Sequence, residues 1–272
     1  MKQIFTILFT IILFHFGQAQ TIDTLINVGS HKLHFNIMKG KGIPILFESG
    51  NGDDGSAWKP ILQKIYDETG ATLITYDRAG LGQSDIDTTT ISFKQEIKDL
   101  NKALKNLGYK KNYFLVAHSF GAIYASEFTQ KNKNKVIGAV FIDVATPCQL
   151  NNEIATRIKN SISEGNWQML KKYKIGLYYV LKKFPEITAY MSKRYISNSI
   201  PLTLIVAENY VPTKEIGETE QDMLNWKKCL QELGNLPNHK YVETKNTDHK
   251  VWENDPKTVT EEIIKLYKQT KI

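Results

Sequence analysis

The sequence predicts an α/β protein: a mostly parallel central sheet with helices on both faces and a helical cap inserted late in the chain. Three observations carry this. Short apolar runs bounded by turn residues alternate with amphipathic segments, the order that builds parallel strands and crossover helices. One such run, 113–117, leads through His118 into a serine, and a helix begins directly after it. The rhythm breaks once, over about residues 146–199, where helical periodicity continues without a convincing strand.

The elements follow in order. Lys2 is the only charge before Asp23, an apolar stretch runs from Ile4 to Phe16, and Gly17-Gln18-Ala19-Gln20 comes next. A short basic start, an apolar centre and small residues at a cleavage point read as a secretory signal peptide over residues 1–19, cut after Ala19. The rival, an uncleaved anchor, needs about 20 apolar residues. No Cys follows the run, which argues against a lipoprotein anchor. The mature chain is therefore expected to be secreted or periplasmic.

Residues 21–40 alternate as two polar-edged strands, an antiparallel hairpin. Strands follow at 43–47, 71–76, 113–117, 136–142, 201–207 and 241–244. Helices are expected at 56–68, 93–107, 121–129 and 258–269, the first two stopped by Gly70 and Gly108. In the cap, Trp167, Leu170, Leu177, Leu181 and Phe184 fall near one helical face. Packing is the first reading of such a stripe, substrate contact the second.

The composition excludes several classes. Of 272 residues, 42% are hydrophobic and 23% charged, which suits a globular protein rather than a disordered or fibrous one. The net charge of +7 is concentrated: between Arg157 and Arg194 lie nine Lys and Arg against two Glu, and the rest of the chain is balanced. The bland reading is a solvated helix face; the sharper one is weak attraction to an anionic substrate or membrane surface. Zinc spacings, RNA-binding signatures and basic zippers are absent, so no nucleic-acid partner is expected. Cys148 and Cys229 either pair in an oxidising compartment or stay as buried thiols. The oligomeric state is open.

The chemistry centres on Leu115-Val116-Ala117-His118-Ser119-Phe120-Gly121. A strand that turns sharply through a serine into a helix exposes the hydroxyl beside the helix's free N–H groups, and needs small neighbours two residues away on either side. Gly121 meets that need, and Ala117 stands where glycine is usual. A second segment, Thr75-Tyr76-Asp77-Arg78-Ala79-Gly80-Leu81-Gly82-Gln83-Ser84-Asp85, resembles the loop after strand four of the α/β-hydrolase superfamily. Phe47-Glu48-Ser49-Gly50-Asn51-Gly52, with Trp58 beyond it, resembles that family's oxyanion loop, and Asp248-His249 with Asp255-Pro256 resembles its catalytic-histidine loop and final helix. The resemblance runs in order over nearly all of residues 20–272 and implies an α/β-hydrolase fold.

It also implies a mechanism. A serine hydroxyl attacks only when a base takes its proton, and histidine suits that role near neutral pH. Of six histidines, His15 lies in the leader, His31 and His34 in the first hairpin, His239 at the start of the last strand, and His118 beside the elbow with its side chain expected to point away. His249 is the expected base for the nucleophile Ser119. The oxyanion would be held by the N–H of Phe120 and, from the strand-three loop, of Asn51. The acid is open between two carboxylates. The family most often places it after the strand at 201–207, where Tyr210 stands instead and Glu208 is two residues early; Asp143, after the preceding strand, is favoured. Asp77, Arg78 and Asp85 read as turn-stabilising charges.

The resemblance implies no metal and no cofactor. The expected reaction is two-step acyl transfer to water on a small-molecule ester, with amide, lactone or carbon–carbon hydrolysis as alternatives. Ser rather than Asp at the elbow argues against an alkyl-enzyme route. Two rivals are not catalytic: a ligand-binding protein on the same scaffold, and a cell-surface interaction protein with a basic cap.

Overall fold

The apolar runs pair into one sheet because their backbone groups, once buried, must find partners. The computed structural model describes residues 20–270. Among them eight strands are joined in the order β1-β2-β4-β3-β5-β6-β7-β8. β1 (Thr21–Asn27) and β2 (Lys32–Met38) form the expected hairpin, and β2 also runs antiparallel to β4 (Ala71–Tyr76). β3 (Gly42–Glu48) lies parallel between β4 and β5 (Tyr113–His118). β6 (Val136–Ile142), β7 (Leu202–Val206) and β8 (His239–Glu243) extend the parallel part. Every residue of β4, β5 and β7 is buried, as unbroken apolar runs covered on both faces require.

One face is covered by α1 (Lys59–Thr69), α9 (Val251–Asn254) and α10 (Pro256–Thr270). There Trp58 and Trp252 pack with ring centres 4.9 Å apart. The other is covered by α2 (Phe93–Asn106), α3 (Gly121–Lys131) and α8 (Glu220–Gly234), through Leu100, Phe128 and Leu230. α8 is an addition to the sequence reading. Its start is closed by a reciprocal Thr219–Asp222 capping box, a device that typically contributes about 1 kcal/mol.

Between β6 and β7 lie α4 (Asn152–Ser161), α5 (Glu164–Tyr173), α6 (Ile175–Lys182) and α7 (Phe184–Met191). Asn151 and Ser163 cap the first two, accepting from the N–H groups of Ile154 and Asn166. The cap has its own apolar cluster, in which Ile154, Trp167, Leu181, Phe184 and Met191 meet Phe120, Ile123 and Tyr124 around the start of α3. Cys148 and Cys229 are joined in a disulfide, Cα atoms 5.8 Å apart, which ties the segment entering the cap to α8. Among the described residues no helix is long and apolar enough to cross a membrane. The leader expected at 1–19 lies outside them.

Candidate active site

β5 delivers its last residue to the rim of the sheet, and the chain reverses through Ser119 into α3. Ser119 sits at φ 52, in the left-handed region that costs a non-glycine residue about 1–2 kcal/mol. The surroundings hold it there: its N–H donates to the Ile142 carbonyl at 3.2 Å, and its own carbonyl accepts from Ala145 at 3.1 Å. Gly121 is required by contact. A Cβ at that position would lie 2.4 Å from the Glu48 oxygen and 2.5 Å from the Ser49 oxygen, so only glycine lets α3 start this close to β3.

The strand order brings three loop ends together outside the C-terminal edge of the parallel strands. His249, on the loop after β8, has Nε2 3.0 Å from Ser119 Oγ. Its Nδ1 is 2.6 Å from Asp143 Oδ2. A carboxylate only accepts, so Nδ1 carries the proton and Nε2 is free to accept from the serine hydroxyl. Asp143 follows β6, is 1% exposed and is itself left-handed at φ 47. Its second oxygen accepts from the Ala207 N–H at 3.1 Å and from the Tyr210 hydroxyl at 2.5 Å. Burial, then the Asp143 charge, push the Tyr210 hydroxyl far above its ordinary pKa, so it stays protonated and donates. Tyr210 thus stands at the usual acid position as a donor to a carboxylate on the neighbouring strand. Sequence reasoning noted the missing acid there but not this role.

Glu208 is not brought to His249. It is exposed, and its carboxylate accepts from the Asn246 N–H at 2.6 Å. His118 lies behind the base: its Nε2–H donates to the His249 carbonyl oxygen at 2.9 Å, with ring centres 4.4 Å apart. Burial first, and His249 second, hold His118 well below the ordinary imidazole range, which suits a neutral ring anchoring the loop. His31 and His34 pair with Asp99 and Asp77, and His239 with the Leu233 carbonyl.

A cavity of about 370 Å³ opens beside Ser119 and is lined by both Asn51 and Phe120. Among the described residues, the N–H groups of Asn51 and Phe120 make no hydrogen bond to protein. Two free donors near a nucleophile are what a developing oxyanion needs. The far walls are apolar, from Ile158, Leu181 and Phe184 of the cap and Met223 and Trp226 of α8. Leu181 and Phe184 therefore serve packing and cavity wall together. No lysine or arginine lines the cavity among the described residues. Nor does any cluster of three or more His, Cys, Asp and Glu there fit a metal ion.

Beneath the site a buried carboxyl lies beside a buried guanidinium. Glu48, fully buried, accepts from the Tyr76 hydroxyl at both oxygens, 3.0 and 2.9 Å away. Burial pushes its carboxyl up to about 8 against the opposing pull of Arg78, 3.8 Å away. The folded state thus keeps a proton that the unfolded chain, with an ordinary value of 4.5, has released. Its contribution to stability is full below about 4.5 and is lost as pH rises through about 8. Glu48→Gln is expected to flatten the fall in Tm between about pH 5 and 9, by about 4 °C or more at the alkaline end. Parallel Tm–pH curves for the two proteins would remove Glu48 as the responsible group.

A family model for the alpha/beta hydrolase fold matches residues 43–168. The uncharacterized protein YqjL of Bacillus subtilis (strain 168) is 29% identical over 230 residues, covering 83% of this chain and 84% of that one. Among solved structures, a thermophilic esterase from Thermogutta terrifontis is similar with TM-score 0.61 and 18% identity, covering 93% of this chain and 100% of that one. The haloalkane dehalogenase DatA from Agrobacterium tumefaciens C58 is similar with TM-score 0.66 and 16% identity, covering 93% and 98%. An esterase and a dehalogenase on one scaffold show that the fold does not choose the reaction.

Proposed function

We propose that this chain, which has the α/β-hydrolase fold, hydrolyses a small carboxylic ester through an acyl-enzyme on Ser119. The observation that carries this reading is the unbroken path from Ser119 Oγ through His249 to Asp143, with contacts of 3.0 and 2.6 Å. Ser119 Oγ attacks the carbonyl carbon as its proton passes to His249 Nε2. Asp143 keeps the imidazole oriented and stabilises its charged form. The N–H groups of Phe120 and Asn51 receive the carbonyl oxygen as it gains charge. The tetrahedral adduct expels the alcohol, which takes the proton from His249, and water repeats the sequence on the acyl-enzyme. A serine, unlike an aspartate, forms an ester with an acyl group and so supports acyl transfer over dehalogenation. A purely ligand-binding role needs neither a left-handed serine nor a base oriented on it.

The Cys148–Cys229 disulfide supports an oxidising compartment, in keeping with export through the expected leader. The basic cap is mostly engaged. Arg157 pairs with Asp222, Arg194 with Glu127 and Lys183 with Glu186, Lys174 donates to the Gly52 carbonyl, and Lys182 lies over Trp167. Any pull of the cap on an anionic substrate or membrane surface acts from outside the cavity and weakens as salt rises.

Incubation with a fluorophosphonate probe is expected to label Ser119 alone, and short p-nitrophenyl esters to be hydrolysed with a burst of nitrophenol. A protein that is folded by thermal melt, takes no label and turns over no ester from acetate to hexanoate would overturn the reading.

A further inference from the structure

From the sequence alone, Arg78 reads as a turn-stabilising charge. In the structure the side chain leaves its own turn and crosses to the loop after β3. It is 4% exposed. Nη1–H donates to the Ser49 carbonyl at 2.7 Å, and Nη2–H to the Gly50 carbonyl at 2.5 Å. The guanidinium also lies 4.6 Å from the ring centre of Tyr124, in the helix that begins after Ser119. Its one carboxyl neighbour within 4 Å among the described residues, Glu48, stays at 3.8 Å and has both oxygens against the Tyr76 hydroxyl. The hydrogen bonds of a buried cation are thus committed to two consecutive backbone carbonyls rather than to an acid.

Peptide geometry gives those bonds a consequence. In a trans peptide, C=O and N–H point in opposite directions. There are no cis peptide bonds among the described residues. Holding the Ser49 oxygen therefore fixes the N–H of Gly50, and holding the Gly50 oxygen fixes the N–H of Asn51, each directed away from Arg78. Asn51 borders the cavity with Ser119 and Phe120, and its N–H is unengaged. Within the loop the Gly50 carbonyl also accepts from the Asp53 N–H, but at 3.3 Å against 2.5 Å from Arg78, and glycines on either side of Asn51 leave its peptide otherwise free to turn. We infer that Arg78 is a positioning residue that sets the second oxyanion donor by clamping the carbonyls of Ser49 and Gly50. The rigid fork of a guanidinium reaches two acceptors at fixed spacing, which the single ammonium of lysine does not. The inference rests on the acyl-transfer reading of Ser119, but concerns only how the oxyanion is met.

The test is Arg78→Lys, assayed for kcat and KM on a p-nitrophenyl ester and for inhibition by an alkyl boronic acid, which forms a tetrahedral adduct on serine. Loss of one ordered donor is expected to lower kcat by about 10²–10³. KM should stay within about threefold, and boronate affinity should fall by a factor like that of kcat. The pH profile of the residual kcat should not move, since the base and its acid are untouched. Because lysine leaves Glu48 differently paired, the same change is also made in the Glu48→Gln background; Glu48→Gln alone is expected to keep wild-type kcat. A folded Arg78→Lys protein with kcat within about threefold of wild type overturns the clamp. So does a shifted pH profile, or failure of both lysine variants to melt cooperatively, since either means that Arg78 works by another route. If wild-type protein itself hydrolyses no ester, the acyl-transfer reading fails first. A wild-type esterase with an indifferent Arg78→Lys variant sinks the clamp alone.

Discussion

Ser119→Ala is expected to lower ester turnover by about 10⁴-fold or more and to abolish fluorophosphonate labelling. Among the described residues no other nucleophilic group of the cavity is hydrogen-bonded to His249 Nε2, which lies 3.0 Å from Ser119 Oγ. The fold should survive. The strain at φ 52 is borne by backbone hydrogen bonds to Ile142 and Ala145, which alanine keeps. Among the described residues the hydroxyl makes no bond to any side chain other than His249. Tm is therefore expected within a few degrees of wild type. A folded alanine variant that keeps more than about a tenth of the wild-type kcat removes Ser119 as the nucleophile.

The second large effect is at the acid. Asp143→Asn is expected to lower kcat by about 10³-fold or more. The structure supplies the reason. One oxygen of Asp143 accepts from Ala207 N–H and Tyr210 O–H, so the oxygen of an asparagine must take that side. Its NH₂ then faces His249 Nδ1 and donates to it. The ring proton moves to Nε2, and the nitrogen beside Ser119 can no longer take the serine proton. Asparagine tolerates the left-handed backbone found at φ 47, so the main chain should hold. Glu208→Gln should change kcat by less than about tenfold, since its carboxylate meets only the Asn246 backbone. Thermal melts must accompany both. A folded, active Asp143→Asn beside a folded, inactive Glu208→Gln would move the acid back to the strand where the family most often has it.

The sheet and the placement of Ser119 and His249 could be read from local order, because strand, elbow and helix are contiguous in the chain. The acid could not. Asp143 and Glu208 both follow parallel strands that are neighbours in the sheet, and only the direction of each side chain separates them. Tyr210 was visible as a missing acid, but its hydroxyl meets Asp143 from 67 residues away. Arg78 shows the same limit: its partners at Ser49 and Gly50 become neighbours only because β3 and β4 lie side by side. α8 is illegible in the sequence because its apolar positions are irregular. Met223, Cys229 and Leu230 are buried while Leu224 is 64% exposed, and Asp rather than Glu or Gln closes its capping box.

With Asp143 taking its place at the end of β6, residues 207–218 owe the proton path little. Their debt is one main-chain N–H, which any residue but proline can supply, and the hydroxyl of Tyr210. The remainder of the segment is wall: Asn209, Val211, Thr213, Ile216 and Glu218 all border the cavity. Reactivity and selectivity are thereby written on different stretches of the chain. On the proposed acyl-transfer reading, variation in this segment would retune which acyl groups are admitted while Ser119, His249 and Asp143 stay as they are. A mutant library confined to Val211, Thr213 and Ile216, all on the cavity wall, would search that space directly.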